Sequence, residues 1–362
     1  MKQMTRRLVL GLFAVAILTA LPASAQTPDD VIKINTELVV LDAQVLNKKT
    51  GRIIGSLGRE DFELYEDGVR QELTFFSQDK LPLSIVLLFD LTDTVRPVLK
   101  PLARGALEAL QHLKPEDEVA VMTYAASAQV IQGFTTDRKL VVAAIESAST
   151  MESNEAAFFN EGVFRATTIS SKSTIPSSRR VIIWLTDNQP NIPSEGTRKT
   201  IGASVPAGEL HTEKEAINEL LESETMVSAI VERSVLSVMA NILFTKNPMF
   251  ALSRKHHPPG DVYKYAEQTG GEVMKSNKEE VSTRLAELID HIRTRYSFGY
   301  RPSIEQPPGK FCKIKLTVAR KVEKREGKLV VRTSAGYYRG AKRKEKSSEP
   351  NQPTLKGRSS PK

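Results

Sequence analysis

Residues 84–89, SIVLLF, form an apolar and β-branched run without alternation, and Asp90 ends it. A strand of that kind is buried on both faces, as in the middle of a parallel sheet. Residues 181–185, VIILW in composition and VIIWL in order, are a second unbroken run, ending in Thr186-Asp187-Asn188. Between and beyond these runs the pattern alternates between strand and helix, which predicts an α/β fold with a doubly wound, mostly parallel sheet flanked by helices. In such sheets ligands bind at the carboxyl ends of strands. Asp90, Thr92 and Thr94 lie two apart in the loop after the first run, and Asp187 repeats the position of Asp90 after the second. One or two carboxylates with two hydroxyls offer a hard-cation site; turn formation and helix capping are the competing roles for the same residues.

The expected helices cover 98–113, 137–147 (capped by Thr136), 158–169, 209–222, 261–268 and 279–293. Gly270 and Gly271 close the fifth. The strands between them are 118–124, 128–131 as an edge hairpin, 226–231, and a short edge strand at 272–274. Residues 232–259 are apolar for a connection and read as a helical insertion or flap. His256 and His257 within it are expected to face solvent.

Both ends of the body are β in character. ELVVLDAQVLN alternates, and two short strands flank the turn Glu66-Asp67-Gly68. Asp61, Glu63, Glu66 and Asp67 read as a solvated hairpin tip, because the ligand spacing of a calcium loop is absent. RYSFGYRP, KFCKIKLTVAR and LVVRTSAGYY are three strands separated by polar turns. Open strand edges need partners, so the two ends are expected to build one accessory antiparallel β region together.

Residues 1–25 combine a basic start (Lys2, Arg6, Arg7), an apolar stretch and Ala23-Ser24-Ala25, the pattern of a signal peptide. The expected domains are then 1–25 signal peptide, 26–80 N-terminal β segment, 81–295 α/β domain, 296–340 C-terminal β segment and 341–362 disordered basic tail. The chain is expected to be exported, to the periplasm or beyond the cell, with no span left after cleavage. Cys312 is the single cysteine, so no internal disulfide and no thiolate zinc cluster can form. It is expected to face a β core.

The formal charge of +8 comes from the chain ends. Residues 1–25 carry three basic groups and no acid, and 339–362 carry eight against Glu345 and Glu349. The body between is close to neutral, which argues against a nucleic-acid partner.

The ordered segments DFELYEDGVRQELTFF, VLLFDLTDT, RRVIIWLTDN, RYSFGYRP and VVRTSAGYY together resemble the von Willebrand factor A-type (VWA) domain family, in particular a VWFA-related group first described from acidobacteria. The resemblance spans about residues 31 to 340. It implies a Rossmann-like fold and a metal-ion-dependent adhesion site holding Mg2+ (or Mn2+ or Ca2+), through which a protein partner's acidic residue is gripped. On that pattern DLTDT supplies Asp90, Thr92 and Thr94 in place of D-x-S-x-S, and Asp187 supplies the third loop. The chain departs from the pattern twice. Ala156 stands where the second loop has Thr, leaving Ser153, Asn154, Glu155 or Asn160 as substitutes, and TDN stands where TDG is common.

Two functions follow as expectations: an exported cation-dependent binding module, or a metal-free structural or scaffolding protein of the cell envelope. An enzyme is disfavoured. DLTDT lacks the second Asp of a phosphoacceptor loop, there is no Gly-rich phosphate loop, and none of the five histidines adjoins a nucleophile.

Overall fold

The computed structural model describes residues 38–92, 95–125, 127–151, 158–188, 211–232, 261–304 and 306–339. The signal-peptide segment, the 232–259 insertion beyond Glu232, both insertion histidines and the basic tail lie outside them.

The run around residues 84–89 is strand β5 (Leu83–Asp90), buried along its whole length. It has parallel neighbours on both sides, β6 (Glu118–Tyr124) and β8 (Arg179–Thr186). Beyond β8 lie β9 (Met226–Glu232) and the edge strand β10 (Val273–Ser276); beyond β6 lies the antiparallel edge strand β7 (Ala128–Thr135). The six-stranded order β10-β9-β8-β5-β6-β7 is therefore parallel except at β7.

Alternate residues of β5 serve two cores. Ile85, Leu87 and Phe89 pack with helices α1 (Arg96–Ala109), α2 (Arg138–Thr150) and α6 (Val281–Arg293). Val86 and Leu88 face α3 (Phe159–Ser170), α4 (Glu213–Glu222) and α5 (Val262–Thr269). Double burial explains the missing alternation in the sequence.

Several local expectations shift. Asp137, not Thr136, caps α2: its Oδ1 accepts the Lys139 N–H at 2.8 Å. An Asp side chain two residues before that donor reaches it without strain. The fourth helix begins at Glu213 under a Thr212–Glu215 capping box. β7 runs to Thr135, past the expected end at Ile131.

The chain ends interleave in two four-stranded antiparallel sheets, ordered β13-β1-β11-β4 and β14-β12-β2-β3. β1 (Val39–Asn47), β2 (Phe62–Glu66), β3 (Val69–Gln71) and β4 (Leu73–Ser77) come from the start; β11 (Tyr296–Tyr300), β12 (Phe311–Val318), β13 (Leu329–Thr333) and β14 (Gly336–Tyr338) come from the end. The expected accessory region is present, with a finer weave than expected. LVVRTSAGYY divides into two strands of different sheets, and the polar stretch before it holds a short helix, α7 (Arg320–Glu326). The sandwich core is aromatic, with Phe62 edge-on to Phe298 at 4.8 Å and to Tyr296 at 5.1 Å. Cys312 is buried, as expected.

The acidic hairpin is not uniformly solvated. Glu66 is buried because Tyr300, from the far end of the chain, donates its hydroxyl to Glu66 Oε2 at 2.5 Å, and Tyr337 donates to the same oxygen at 3.3 Å. Asp61 is also buried; its Oδ2 accepts the Gly58 N–H at 3.1 Å.

A charged layer joins the sandwich to the α/β body. Arg179 at the start of β8 donates to Asp42 Oδ2 of β1 at 2.6 Å and to the Ile292 carbonyl at 2.8 Å. Arg295 is fully enclosed, and burial lowers its pKa to about 10 while Asp42 pulls it back up.

Candidate functional site

Strand register builds the site. Asp90, the last residue of β5, pairs with Tyr124, the last of β6; Phe89 pairs with Leu185, which sets Thr186 beside Asp90 on the other flank. The carboxylate thus lies between two strand-end hydroxyls. Its Oδ2 accepts the Tyr124 hydroxyl at 2.8 Å and the Thr186 hydroxyl at 2.7 Å, and its Oδ1 accepts the Thr92 N–H at 3.0 Å. That last bond turns the chain from β5 toward α1, whose first turn opens on the Thr92 carbonyl.

Asp90, Thr92 and Asp187 are all buried at this carboxyl edge. Thr94 and Asp93 lie outside the described residues, as do Ser153, Asn154, Glu155 and Ala156 of the second loop. Asn160 is in the first turn of α3, where its Oδ1 accepts the Tyr265 hydroxyl of α5 at 2.8 Å. Among the described residues no group of three or more His, Cys, Asp or Glu side chains is placed to hold a metal ion. The donor set is therefore carboxylate plus hydroxyl, all hard oxygen.

The TDN departure has a local reason. Asn188 has φ 56°, in the left-handed region that Asn tolerates better than most residues. Its N–H donates to Thr186 Oγ1 at 2.9 Å, and its side chain bonds Asp261 at 3.1 Å and the Val262 N–H at 3.2 Å. Asn188 thereby ties the third loop to the start of α5, which a glycine there would leave untied.

Residue-by-residue reading missed Tyr124 and Trp184. Trp184, the chain's single tryptophan, donates its indole N–H to Tyr124 Oη at 3.0 Å. Gly162 of α3 makes room for this ring, since a Cβ there would lie 2.7 Å from Tyr124 Cγ. The only signal available was positional: Tyr124 ends the expected strand 118–124, the next along the chain after the 84–89 run. Replacing Tyr124 with Phe removes a hydrogen bond to the buried Asp90 and the acceptor of the Trp184 N–H. A loss of about 1–3 kcal/mol is expected in urea unfolding. A change in Trp184 emission should accompany it, and unchanged stability together with unchanged emission would rule out the network.

Burial pushes the Asp90 carboxyl above the usual carboxylate range; the bonds from Thr186, Thr92 and Tyr124 oppose this but do not cancel it. The largest influences opposing burial are these neutral hydrogen-bond donors, not a basic side chain. In metal-free protein this group's stabilising share is complete below the unfolded carboxylate value of about 4 and is lost as pH rises through the higher folded value. In EDTA, Asp90→Asn is expected to flatten that part of the stability–pH curve. A curve of unchanged shape would show that Asp90 titrates alike in folded and unfolded chains.

Buried oxygen donors around a carboxylate are the hard-ligand type that a divalent cation such as Mg2+ takes. A twisted parallel sheet with this edge is a Rossmann-like architecture, and residues 85–189 match the von Willebrand factor type A domain family. That segment, less than a third of the chain, is thus similar to a family of protein-interaction modules. Among the solved structures similar at low identity are the following three. The conserved hypothetical protein BatB from Bacteroides thetaiotaomicron is 14% identical, over 58% of this chain and 98% of that one, with TM-score 0.38. A von Willebrand factor type A protein from Catenulispora acidiphila is 11% identical, over 76% and 73%, with TM-score 0.41. The PilB minor pilin from Streptococcus sanguinis is 11% identical, over 60% and 63%, with TM-score 0.39. No curated protein matches the chain. Among the described residues no helix is long and apolar enough to cross a membrane.

Proposed function

We propose that the protein is an exported binding module that grips a protein partner through a divalent cation at the carboxyl edge of the VWA sheet. Asp90, Thr92, Thr94 and Asp187 hold the ion, Mg2+ by preference, and an acidic side chain of the partner completes its shell. The observation that carries this reading is Asp90: a fully buried carboxylate at the sheet's carboxyl edge, held by the neutral donors Thr92, Tyr124 and Thr186 and pushed by burial above the usual carboxylate range. A bound dication would offset the cost of burying this charge and offer a Lewis-acid point for a carboxylate. Tyr124 and Thr186 hold Asp90 in place, and Asn188 anchors the loop that carries Asp187. Export rests on the signal-peptide pattern of residues 1–25. The role is binding, not catalysis.

The test is the melting temperature of residues 26–362 in EDTA and in millimolar Mg2+ or Mn2+. At a hundredfold excess over Kd, a ligand specific to the folded state adds about 2.7 kcal/mol, or roughly 4 °C for a chain this long. Asp90→Asn is expected to abolish the rise. Trp184 emission, two hydrogen bonds from Asp90, should report the same titration in the native protein. No shift with either ion, in melting or emission, would reject the cation site. The metal-free scaffold, which Ala156 favours, would then be the reading to pursue.

A further inference from the structure

A second cleft lies away from this edge, where the sandwich meets the body. It has a volume of about 370 Å³ and is lined by β10 and α6 on one side and by β13, the end of β1 and its following turn on the other. Leu46, Met274 and Val330 give it an apolar lining. The rest of the lining is mostly charged, and the charges do not cancel.

Glu272 is already satisfied twice, by Arg332 at 2.6 Å and by His291 Nδ1 at 2.8 Å. These two partners hold its carboxyl below the usual range against the opposing effect of burial. Glu287 is paired with Arg284 at 2.9 Å. Both acids of the cleft are thus engaged, while Lys48 and Lys275 line it without an ion pair among the described residues. Lys48 is presented by a fixed turn: Asn47 Oδ1 accepts the N–H groups of Lys49 and Thr50, each at 3.0 Å, and the Lys48 N–H donates to the Lys328 carbonyl at 2.8 Å. Two surplus ammonium groups beside an apolar surface, in a partly enclosed space, attract an anion more strongly than the same groups on open surface. The volume falls in the range of small-molecule sites.

We infer that this cleft binds a small organic anion, with a carboxylate or phosphate between Lys48 and Lys275 and its apolar body on Leu46, Met274 and Val330. The ligand spans the sandwich and the body, so its binding favours the joined arrangement.

The full-length protein would be melted with benzoate, phenyl phosphate or inorganic phosphate at constant ionic strength, with sodium chloride as the reference. Benzoate or phenyl phosphate is expected to raise the melting temperature beyond the inorganic phosphate value, and whichever does so identifies the preferred head group. Lys275→Glu, at an exposed position, should weaken binding at least about tenfold while keeping the wild-type melting temperature in chloride. Lys48→Glu is the second variant should the first not fold. No rise with either organic anion, a rise fully retained in the charge-reversed protein, or an equal rise with inorganic phosphate would overturn the inference.

Discussion

Asp117→Ala is expected to remove about 3–5 kcal/mol of folding stability, the usual cost of breaking a buried ion pair on one side. Asp117 is fully buried at the amino end of the sheet, opposite the candidate site. Its Oδ1 accepts the Leu83 N–H at 2.9 Å, where β5 begins, and its Oδ2 accepts the Lys114 N–H at 2.7 Å. Arg293, at the last turn of α6, donates to Oδ2 at 2.6 Å and is itself nearly enclosed. Alanine would leave a buried guanidinium without counter-charge and two backbone donors without acceptors. The net value of the pair is smaller than the cost of halving it, so Asp117→Leu combined with Arg293→Met should recover the share due to the unpaired guanidinium but not the share due to the Leu83 and Lys114 N–H groups, which stay without side-chain acceptors. Urea unfolding of the three proteins is the measurement. A single-variant loss below about 1 kcal/mol would mean that water reaches Arg293.

Gly271→Ala is the second large effect, expected at about 3 kcal/mol or more because the obstruction is backbone. A Cβ at Gly271 would stand 1.8 Å from the Val227 carbonyl oxygen and 2.7 Å from its carbon. The Gly271 N–H also closes α5 by donating to the Ala266 carbonyl at 2.8 Å. To admit a methyl group, the segment would have to move off β9, and β10 begins only two residues later. Gly270 differs: it has φ 75°, and its substitution is penalised for conformation as well as for a contact at 2.5 Å with Thr333. Thermal melts of the Gly271→Ala protein test this, and a melting temperature within a degree or two of wild type would show that β10 yields freely.

These two sites mark where sequence reading stopped. Thr269-Gly270-Gly271 is legible as a helix end, because a left-handed cap is a local requirement. That the second glycine is also a close approach to β9 depends on a neighbour more than forty residues away in sequence, and no local pattern records it. The doubly wound sheet was legible from its unbroken apolar runs, and the position of Asp90 from the end of one of them. Tyr124 was not, since an aromatic residue at the end of EVAVMTY reads as core until register sets it beside Asp90. Glu66 next to Asp-Gly reads as an exposed turn, and only the tyrosines at the other end of the chain bury it. Helix α7 has one buried residue, Val322, too little for a helical period to appear.

The interleaved sandwich has a consequence for how the protein is made. Among the described residues the strand neighbours of β1 are β11 and β13, and β2 and β4 pair with β12 and β11; the Ser297–Asp42 bond closes a separation of 255 residues. The first strands to leave a ribosome or a secretion channel must wait, edges open, for the last. The intervening α/β segment pairs its own strands with one another, the farthest in sequence being β5 with β8, and can form ahead of them. A chain cut short before β11 leaves those strands unpaired and prone to aggregation. The closing strands therefore act as a completeness check, stabilising only a polypeptide delivered through to residue 338.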